Sequence, residues 1–143
     1  MIRIFSSLVP LLLTSMVSAQ LSCTTTSVAS SCATLSVTFT PQGGGGNMNI
    51  TVSATGLHPQ AAGLMSWGLN QVSGALPGTG GCLLLCDFVW GHKFQTNDLG
   101  EFSWGRTWPN WYQQYFYMQV GSWDVVAGNF EVLSTDCIYA GCQ

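Results

Sequence analysis

Charged side chains are scarce in this sequence. Of its 143 residues, three are Lys or Arg and six are Asp or Glu, so charged residues make up 6% of the chain. Beyond residue 19 the only cations are Lys93 and Arg106, which stand against all six carboxylates. Such a surface repels the phosphates of nucleic acids and of anionic membranes. We therefore expect no nucleic-acid binding and no membrane insertion once an N-terminal signal is removed.

The sequence also lacks the patterns of the common catalytic and metal sites. Its two histidines, His58 and His92, accompany no GxSxG nucleophile motif. The cysteines form no CxxC pair, and no histidine stands at ligand spacing from them. Asp98, Glu101, Asp124 and Glu131 could supply the carboxylate pair of a glycosidase only by chance, and Glu101 and Asp124 are the residues to test. We expect no catalytic residues, no metal and no cofactor, and we keep a small secreted hydrolase as a second alternative function.

Helical periodicity is missing as well, because no apolar pattern of period 3.6 persists over three turns. Apolar and polar residues instead alternate over 33–40 and 48–53, on either side of a glycine-rich segment, which predicts a hairpin. Further strands are predicted at 61–69, 82–90, 101–104, 112–120 and 123–133, with a loop at 71–81. Seven to eight short strands indicate an all-β fold, an antiparallel β-sandwich of immunoglobulin-like or jelly-roll-like type, stapled by disulfides.

The segment TNDLGEF predicts a tight turn between two of these strands. Asn97 and Asp98 have short polar side chains that can accept bonds from nearby backbone amides. Gly100 supplies a positive φ at low cost. We expect the strand that begins at Glu101 to return alongside the one before the turn.

The first 19 residues have the layout of a secretory signal peptide. Arg3 precedes an apolar run over 8–13, and small residues end the segment at Ala19. The apolar run is shorter than the roughly 20 residues that a membrane-spanning helix needs. We therefore predict that 1–19 is a signal peptide, that 20–143 is a single domain, and that the protein is secreted or extracellular.

All six cysteines lie in the predicted secreted domain, where an oxidising compartment favours three disulfides. They fall into neighbours in sequence, which suggests the pairs Cys23–Cys32, Cys82–Cys86 and Cys137–Cys142. Geometry opposes the middle pair, because an extended strand holds Cα atoms four residues apart at roughly 13 Å. A disulfide tolerates about 7 Å at most. Either the segment from Cys82 to Cys86 bends, or each of the two pairs elsewhere, for instance with a terminal cysteine.

The stretch 112–120, YQQYFYMQV, combines four aromatic rings with three glutamines and no charge. On a strand its residues divide into two rows that face opposite sides. The better core face is the row of Tyr112, Gln114, Phe116, Met118 and Val120. The opposite row, which we expect to be exposed, consists of Gln113, Tyr115, Tyr117 and Gln119. Aromatic faces beside amides suit the C–H patches and hydroxyls of a neutral sugar, although cross-strand packing of the tyrosines is the simpler interpretation.

Tryptophan is also abundant, with six residues in the chain. That exceeds what one core of this size commonly requires, so we expect at least one to be exposed. Three of them lie near the tyrosine row and either extend the platform or close the end of the sandwich: Trp104, Trp108 and Trp111.

Export, low charge and excess aromatic residues favour a non-catalytic extracellular protein that acts by surface contact or assembly in a cell envelope, a matrix or a filament. Its expected partners are other copies of itself, because uncharged edge strands with aromatic side chains can pair with other chains. The first alternative is a carbohydrate-binding module that holds a neutral glycan on the aromatic platform.

Several short elements follow one another in an order with a known counterpart. They are GLMSWGL, Leu76-Pro77, Gly81-Cys82, Leu84, the turn DLGEF at 98–102, Pro109, Tyr117-Met118-Gln119, Asp124 and Asn129. In this order they resemble a small secreted β-sandwich domain that recurs in extracellular proteins of planctomycetes and related bacteria. The resemblance implies a sandwich fold and an exported location, and that family has no defined biochemical role. Cys86 and the density of Trp and Tyr depart from its pattern.

Overall fold

The computed structural model describes residues 23–29, 31–41, 47–76, 82–108 and 115–142, with only the backbone of Pro41 and Cys142. Eleven strands and no helix occur in these ranges, which accordingly contain no helical membrane span. The strands are β1 (Cys23–Ala29), β2 (Thr34–Pro41), β3 (Met48–Thr55), β4 (Ala62–Gly68), β5 (Gln71–Ala75), β6 (Leu83–Cys86), β7 (Trp90–Gln95), β8 (Phe102–Trp108), β9 (Tyr115–Val126), β10 (Asn129–Ser134) and β11 (Cys137–Cys142). Every strand pair is antiparallel, which confirms the predicted all-β class.

Two sheets pack face to face around one core. The larger sheet has the order β1-β11-β9-β4-β7, with β10 paired to the second half of β9, and the smaller sheet has the order β2-β3-β8. Their inner faces meet in a single cluster that includes Leu35 and Val37 of β2, Ile50 and Val52 of β3, Met65 and Trp67 of β4, and Met118 and Val120 of β9. The described strands therefore form the predicted sandwich.

Strand β3 shows why these residues form this fold. Its burial alternates residue by residue, with Met48, Ile50, Val52 and Ala54 all buried and polar residues between them. Full burial of side chains such as Ile50 and Val52 contributes about 1.5–3 kcal/mol each relative to exposure. A shift of the register by one residue would place this whole row in water, so the pattern fixes the pairing with β2 and β8.

Two disulfides fasten a third layer to the sandwich. The β5–β6 pair lies outside the sandwich order, and it is held by Cys32–Cys82 and Cys86–Cys137. The predicted pairs of sequence neighbours are thus wrong for these four cysteines, and the alternative in which Cys82 and Cys86 each pair elsewhere is confirmed. Strand pairing across the fold brings distant cysteines together, with sequence separations of 50 and 51. Cys23 is also disulfide-bonded, and its backbone lies opposite that of Cys142 in the β1–β11 ladder.

The predicted number of seven to eight strands is too low. Residues 71–75, predicted as part of a loop, form β5, because they pair with β6 through the backbone and need no apolar face of their own. The predicted strand at 82–90 is divided into β6 and the start of β7, and the one at 123–133 is a hairpin of β9 and β10. That hairpin turns at Ala127 and Gly128, which both have positive φ, 52° and 84°. Strand β1, mostly exposed threonine and serine, carries no alternating signal.

The turn predicted at 97–100 is confirmed, but its strands do not pair with each other. The Asn97 side-chain oxygen accepts the backbone N–H groups of Leu99 at 3.0 Å and Glu101 at 2.8 Å, and Gly100 has a φ of 71°. Asp98 instead accepts a bond from the Gln60 side chain. The turn carries the chain from β7 in the larger sheet to β8 in the smaller one, so the predicted return strand is wrong. The residues of the turn determine that the chain reverses direction, but they do not determine which strand β8 pairs with.

Removal of one complete disulfide tests this arrangement. The Cys32→Ser, Cys82→Ser double variant frees a loop of sequence separation 50, and loop-closure entropy predicts a loss of about 4 kcal/mol in the free energy of unfolding. Urea unfolding of the oxidised variant and wild type measures this loss. A non-reducing peptide map of the wild type should recover Cys32–Cys82 and Cys86–Cys137, and a Cys82–Cys86 cross-link would contradict the fold.

Candidate functional site

The core row of the stretch 112–120 lies where the alternation predicts it. Phe116, Met118 and Val120 are all buried in the cluster between the two sheets. The remaining members of that row, Tyr112 and Gln114, lie outside the described residues, as do Gln113 and Trp111 of the predicted platform. The division of β9 into an inner and an outer face is therefore confirmed where the structure describes it.

Gln119 belongs to the outer row, but it is not a surface residue. Its exposed fraction is 3%, because β6 lies across it. Its side-chain oxygen accepts the N–H groups of Leu85 at 2.8 Å and Cys86 at 3.4 Å. Its amide nitrogen donates to the carbonyls of Leu83 at 2.7 Å and Thr135 at 2.9 Å. The prediction that Gln119 is a ligand-binding amide is wrong, since every polar atom of the group already binds backbone.

The two candidate tyrosines differ in their surroundings. Tyr115 is 55% exposed, with its ring centroid 6.2 Å from that of Tyr139. Tyr117 is half-buried, packs against the cluster of Leu85, Cys86 and Cys137, and meets Tyr139 edge to face at 5.3 Å. Because Tyr117 and Tyr139 are register partners, cross-strand packing is confirmed for Tyr117. Of these two tyrosines, only Tyr115 is exposed enough to serve as a ring of the predicted platform.

Three tryptophans lie around the buried ring of a fourth, Trp67. Its ring centroid lies 5.1 Å from Trp108, 5.7 Å from Trp104 and 5.9 Å from Trp90. Trp104 and Trp108 are half-buried and pack against the core. The expected exposed tryptophan is confirmed, since Trp90 is 45% exposed and Trp123 37%.

A cavity of about 280 Å³ opens beside this cluster and is here called the Trp67 cavity. Its lining consists of Trp67, Gly68, Leu69, Val89, Trp90, Trp108, Tyr115 and Phe116. Four of these side chains are exposed: Leu69, Val89, Trp90 and Tyr115. The indole N–H of Trp67 is buried and has no acceptor among the described residues. The sequence hides this site because its parts come from the ends of β4, β7, β8 and β9, far apart along the chain.

A carboxylate and an amide lie next to Gly68, on the face of β4 opposite to the Trp67 side chain. Asn70 donates to Asp87 twice, from its backbone N–H at 3.0 Å and from its side-chain amide at 2.8 Å. These bonds lower the pKa of Asp87, so the group stays ionised to more acidic pH. A Cβ at Gly68 would collide with the Asp87 carboxylate, which is why the close approach needs glycine.

A second apolar surface covers the outside of the larger sheet, here called the outer apolar face. Its members are Leu84, Phe88, Trp123, Val125, Phe130 and Val132. Trp123 lies opposite Val132 in the β9–β10 ladder, and Val125 lies opposite Phe130. Register partners point to the same side, so these four form a continuous block. Alternation on both sides of Ala127-Gly128 is the sequence signal that identifies this block once the turn is placed correctly.

Leu84 and Phe88 extend the block across a shallow cavity of about 200 Å³, which is also lined by Trp123 and Val132. Phe88 is 58% exposed, and its ring lies over Gly91. Val125 is 63% exposed and Phe130 49%. A contiguous apolar surface of this kind marks an interaction site in soluble proteins.

The carboxylates considered for a hydrolase are not assembled in a cleft. Glu101 lines a groove of about 750 Å³ whose described lining has no second carboxylate, and Asn97 donates to it at 2.9 Å. Asp124 does lie opposite another carboxylate, Glu131. It is exposed, however, and lines none of the cavities described above.

The histidines serve the fold. His58 is buried, its backbone N–H donates to Ser122 Oγ at 3.1 Å, and its carbonyl accepts from Thr96 Oγ1 at 2.6 Å. His92 lies within β7, with its ring 6.0 Å from that of Trp104. Among the described residues, no three His, Cys, Asp or Glu side chains converge as a metal site.

Replacement of Gln119 separates its structural role from the predicted ligand-binding role. Gln119→Ala leaves buried backbone groups of β6 without partners, at a cost of about 1–3 kcal/mol for each unsatisfied group. We expect the free energy of unfolding to fall by at least about 2 kcal/mol, measured by urea denaturation. Gln95→Ala, which removes one exposed amide, is the control and should change stability by less than about 0.5 kcal/mol. Equal stability of the two variants would argue against the bonding described here.

Comparisons with known proteins add no family to this description. No protein-family model, no curated protein and no solved structure matches the chain. The resemblance to the planctomycete sandwich domain therefore stays a prediction that depends on the residues quoted for it.

Proposed function

We propose that this chain is a non-catalytic extracellular protein that acts by surface contact, and that it binds a second copy of itself through the outer apolar face. The observation that carries this proposal is the exposure of an uncharged, contiguous block of large apolar side chains on a folded, disulfide-linked domain. Burying them on association removes apolar surface from water, which is the main driving force for contact between proteins.

A second copy is the favoured partner because the block ends at an unpaired strand edge. Among the described strands, β10 pairs only with β9, so no described strand occupies the outer edge of Asn129–Leu133. Two β10 strands can pair in antiparallel fashion about a two-fold axis. Phe130 and Val132 of each copy would then lie side by side, and the two apolar blocks would become one. Glu131, the only charged residue of β10, points to the opposite side.

Export is supported by the disulfides, which persist in oxidising compartments. The same bridges hold β6 against the larger sheet, and Leu84 of β6 contributes to the outer apolar face. The contact surface therefore depends on the oxidised form of the chain. This dependence fits a protein that works outside the cell.

The carbohydrate-binding alternative loses part of the surface first assigned to it. Gln119 is fully bonded and Tyr117 is packed, so the described part of the row, from Tyr115 to Gln119, does not present a flat platform. For the hydrolase alternative, Glu101 and Asp124 are both exposed and do not line a common cavity. Neither alternative is favoured over contact between copies as the main role.

Charge introduced into the outer apolar face should abolish self-association. We expect the oxidised wild-type protein to sediment as a concentration-dependent dimer or larger species. Val125→Lys with Phe130→Lys should weaken association at least about tenfold, or by about 1.4 kcal/mol, because lysine blocks both apolar contact and edge pairing. Sedimentation velocity over a concentration series measures the constant.

The matched control for this experiment is Leu99→Lys. Leu99 is 75% exposed but lies in the turn between β7 and β8, so the substitution adds the same charge elsewhere. It should associate like the wild type. A wild type that is monomeric at every concentration, or a double variant that associates as tightly as the wild type, would refute the proposal.

A further inference from the structure

We propose that the Trp67 cavity is a binding site for a neutral sugar ring. This inference goes beyond self-association, because the cavity shares no residue with the outer apolar face. It also differs from the platform predicted on β9, of which the cavity retains only Tyr115 and Trp108.

The rings are arranged to receive a flat ligand with an apolar face. Trp67 forms the buried centre, Trp108 meets it perpendicularly at an interplanar angle of 89°, and Trp90 is tilted at 58°. Trp90 and Tyr115 are about half exposed, and both line the cavity. The faces of aromatic rings carry partial negative charge and attract the C–H groups of a pyranose. A sugar ring would thereby shield aromatic surface that is now in contact with water.

One polar side chain among the lining residues matches the hydroxyls of a sugar. Tyr115 is exposed and lines the cavity, and its hydroxyl both donates and accepts hydrogen bonds. The Asp87 carboxylate lies against Gly68 but does not line the cavity. A hydrocarbon ligand would leave the Tyr115 hydroxyl unused.

The lining of the cavity favours an uncharged ligand. None of the described lining residues is charged, and the Arg106 guanidinium lies outside the lining, 6.0 Å from the centroid of the Trp108 ring. A binding site with apolar walls and a few convergent polar groups is the common form for small ligands. Neutral pyranoses combine the apolar face and the hydroxyls that this site addresses.

Titration of the oxidised full-length secreted chain with neutral oligosaccharides tests the proposal. The probes are the hexasaccharides of cellulose, chitin, xylan and mannan, with oligogalacturonate as the charged comparison and 1-octanol as the aliphatic comparison. We expect at least one neutral hexasaccharide to bind at millimolar concentration or below and to shift tryptophan emission. Calorimetry measures the dissociation constant.

Ring removal locates the site. Trp90→Ala and Tyr115→Ala should each weaken that binding roughly tenfold, which corresponds to about 1.4 kcal/mol, and Trp90→Phe should restore most of it. Trp123→Ala, which removes a tryptophan of the outer apolar face, is the control and should bind like wild type. Circular dichroism and urea unfolding establish that each variant is folded. If one ring variant does not fold, the binding measured with the other ring variant decides the test.

Three outcomes would overturn the proposal. The first is that no neutral hexasaccharide binds. The second is that the Trp90 and Tyr115 variants bind like wild type, which would place the sugar elsewhere. The third is binding of 1-octanol or oligogalacturonate alone, with dependence on Trp90, which would assign the cavity to a different class of ligand.

Discussion

The buried amide of Gln119 is the interaction on which the layered arrangement depends. A sandwich of two sheets would leave the outer row of β9 in water, and β6 covers that row only because the amide satisfies its backbone groups. The side chain thereby replaces a strand neighbour that β6 does not have on that side. A buried polar group is costly unless every atom is bonded, and here the bonding is complete. The Cys86–Cys137 disulfide, in the adjacent cluster, fixes the same contact covalently.

This third layer changes the character of the surface around it. By covering part of the larger sheet, it leaves Leu84 and Phe88 beside the β9–β10 hairpin and completes one apolar block. At the other end of β4, the segment after β6 returns close to Gly68 and brings Val89 and Trp90 to the tryptophan cluster. Both candidate surfaces thus border residues that follow or belong to β6. A sandwich without this layer would have neither surface in its present form.

Local patterns in the sequence predict the strands that have one face in solvent and the other in the core. The alternation in β2 and β3 identifies the hairpin and its inner row, and Asn97 with Gly100 identifies the turn. The pattern fails where a contact is distant along the chain. Nothing near Gln119 indicates that β6 will cover it, and the spacing of the cysteines suggests local pairs although the sheets bring together residues about 50 positions apart. Trp67 and Trp90 become a site only through the pairing of β4 with β7, where they are register partners.

Strand β9 links the two surfaces within one continuous segment. Its first residues, Tyr115 and Phe116, line the Trp67 cavity, and its last turn-side residues include Trp123 and Val125 of the outer apolar face. At about 3.4 Å per residue, its twelve residues span roughly 40 Å. A force along β9 would load its ladders with β4, β10 and β11 in shear, so many backbone hydrogen bonds would have to break together and not one at a time.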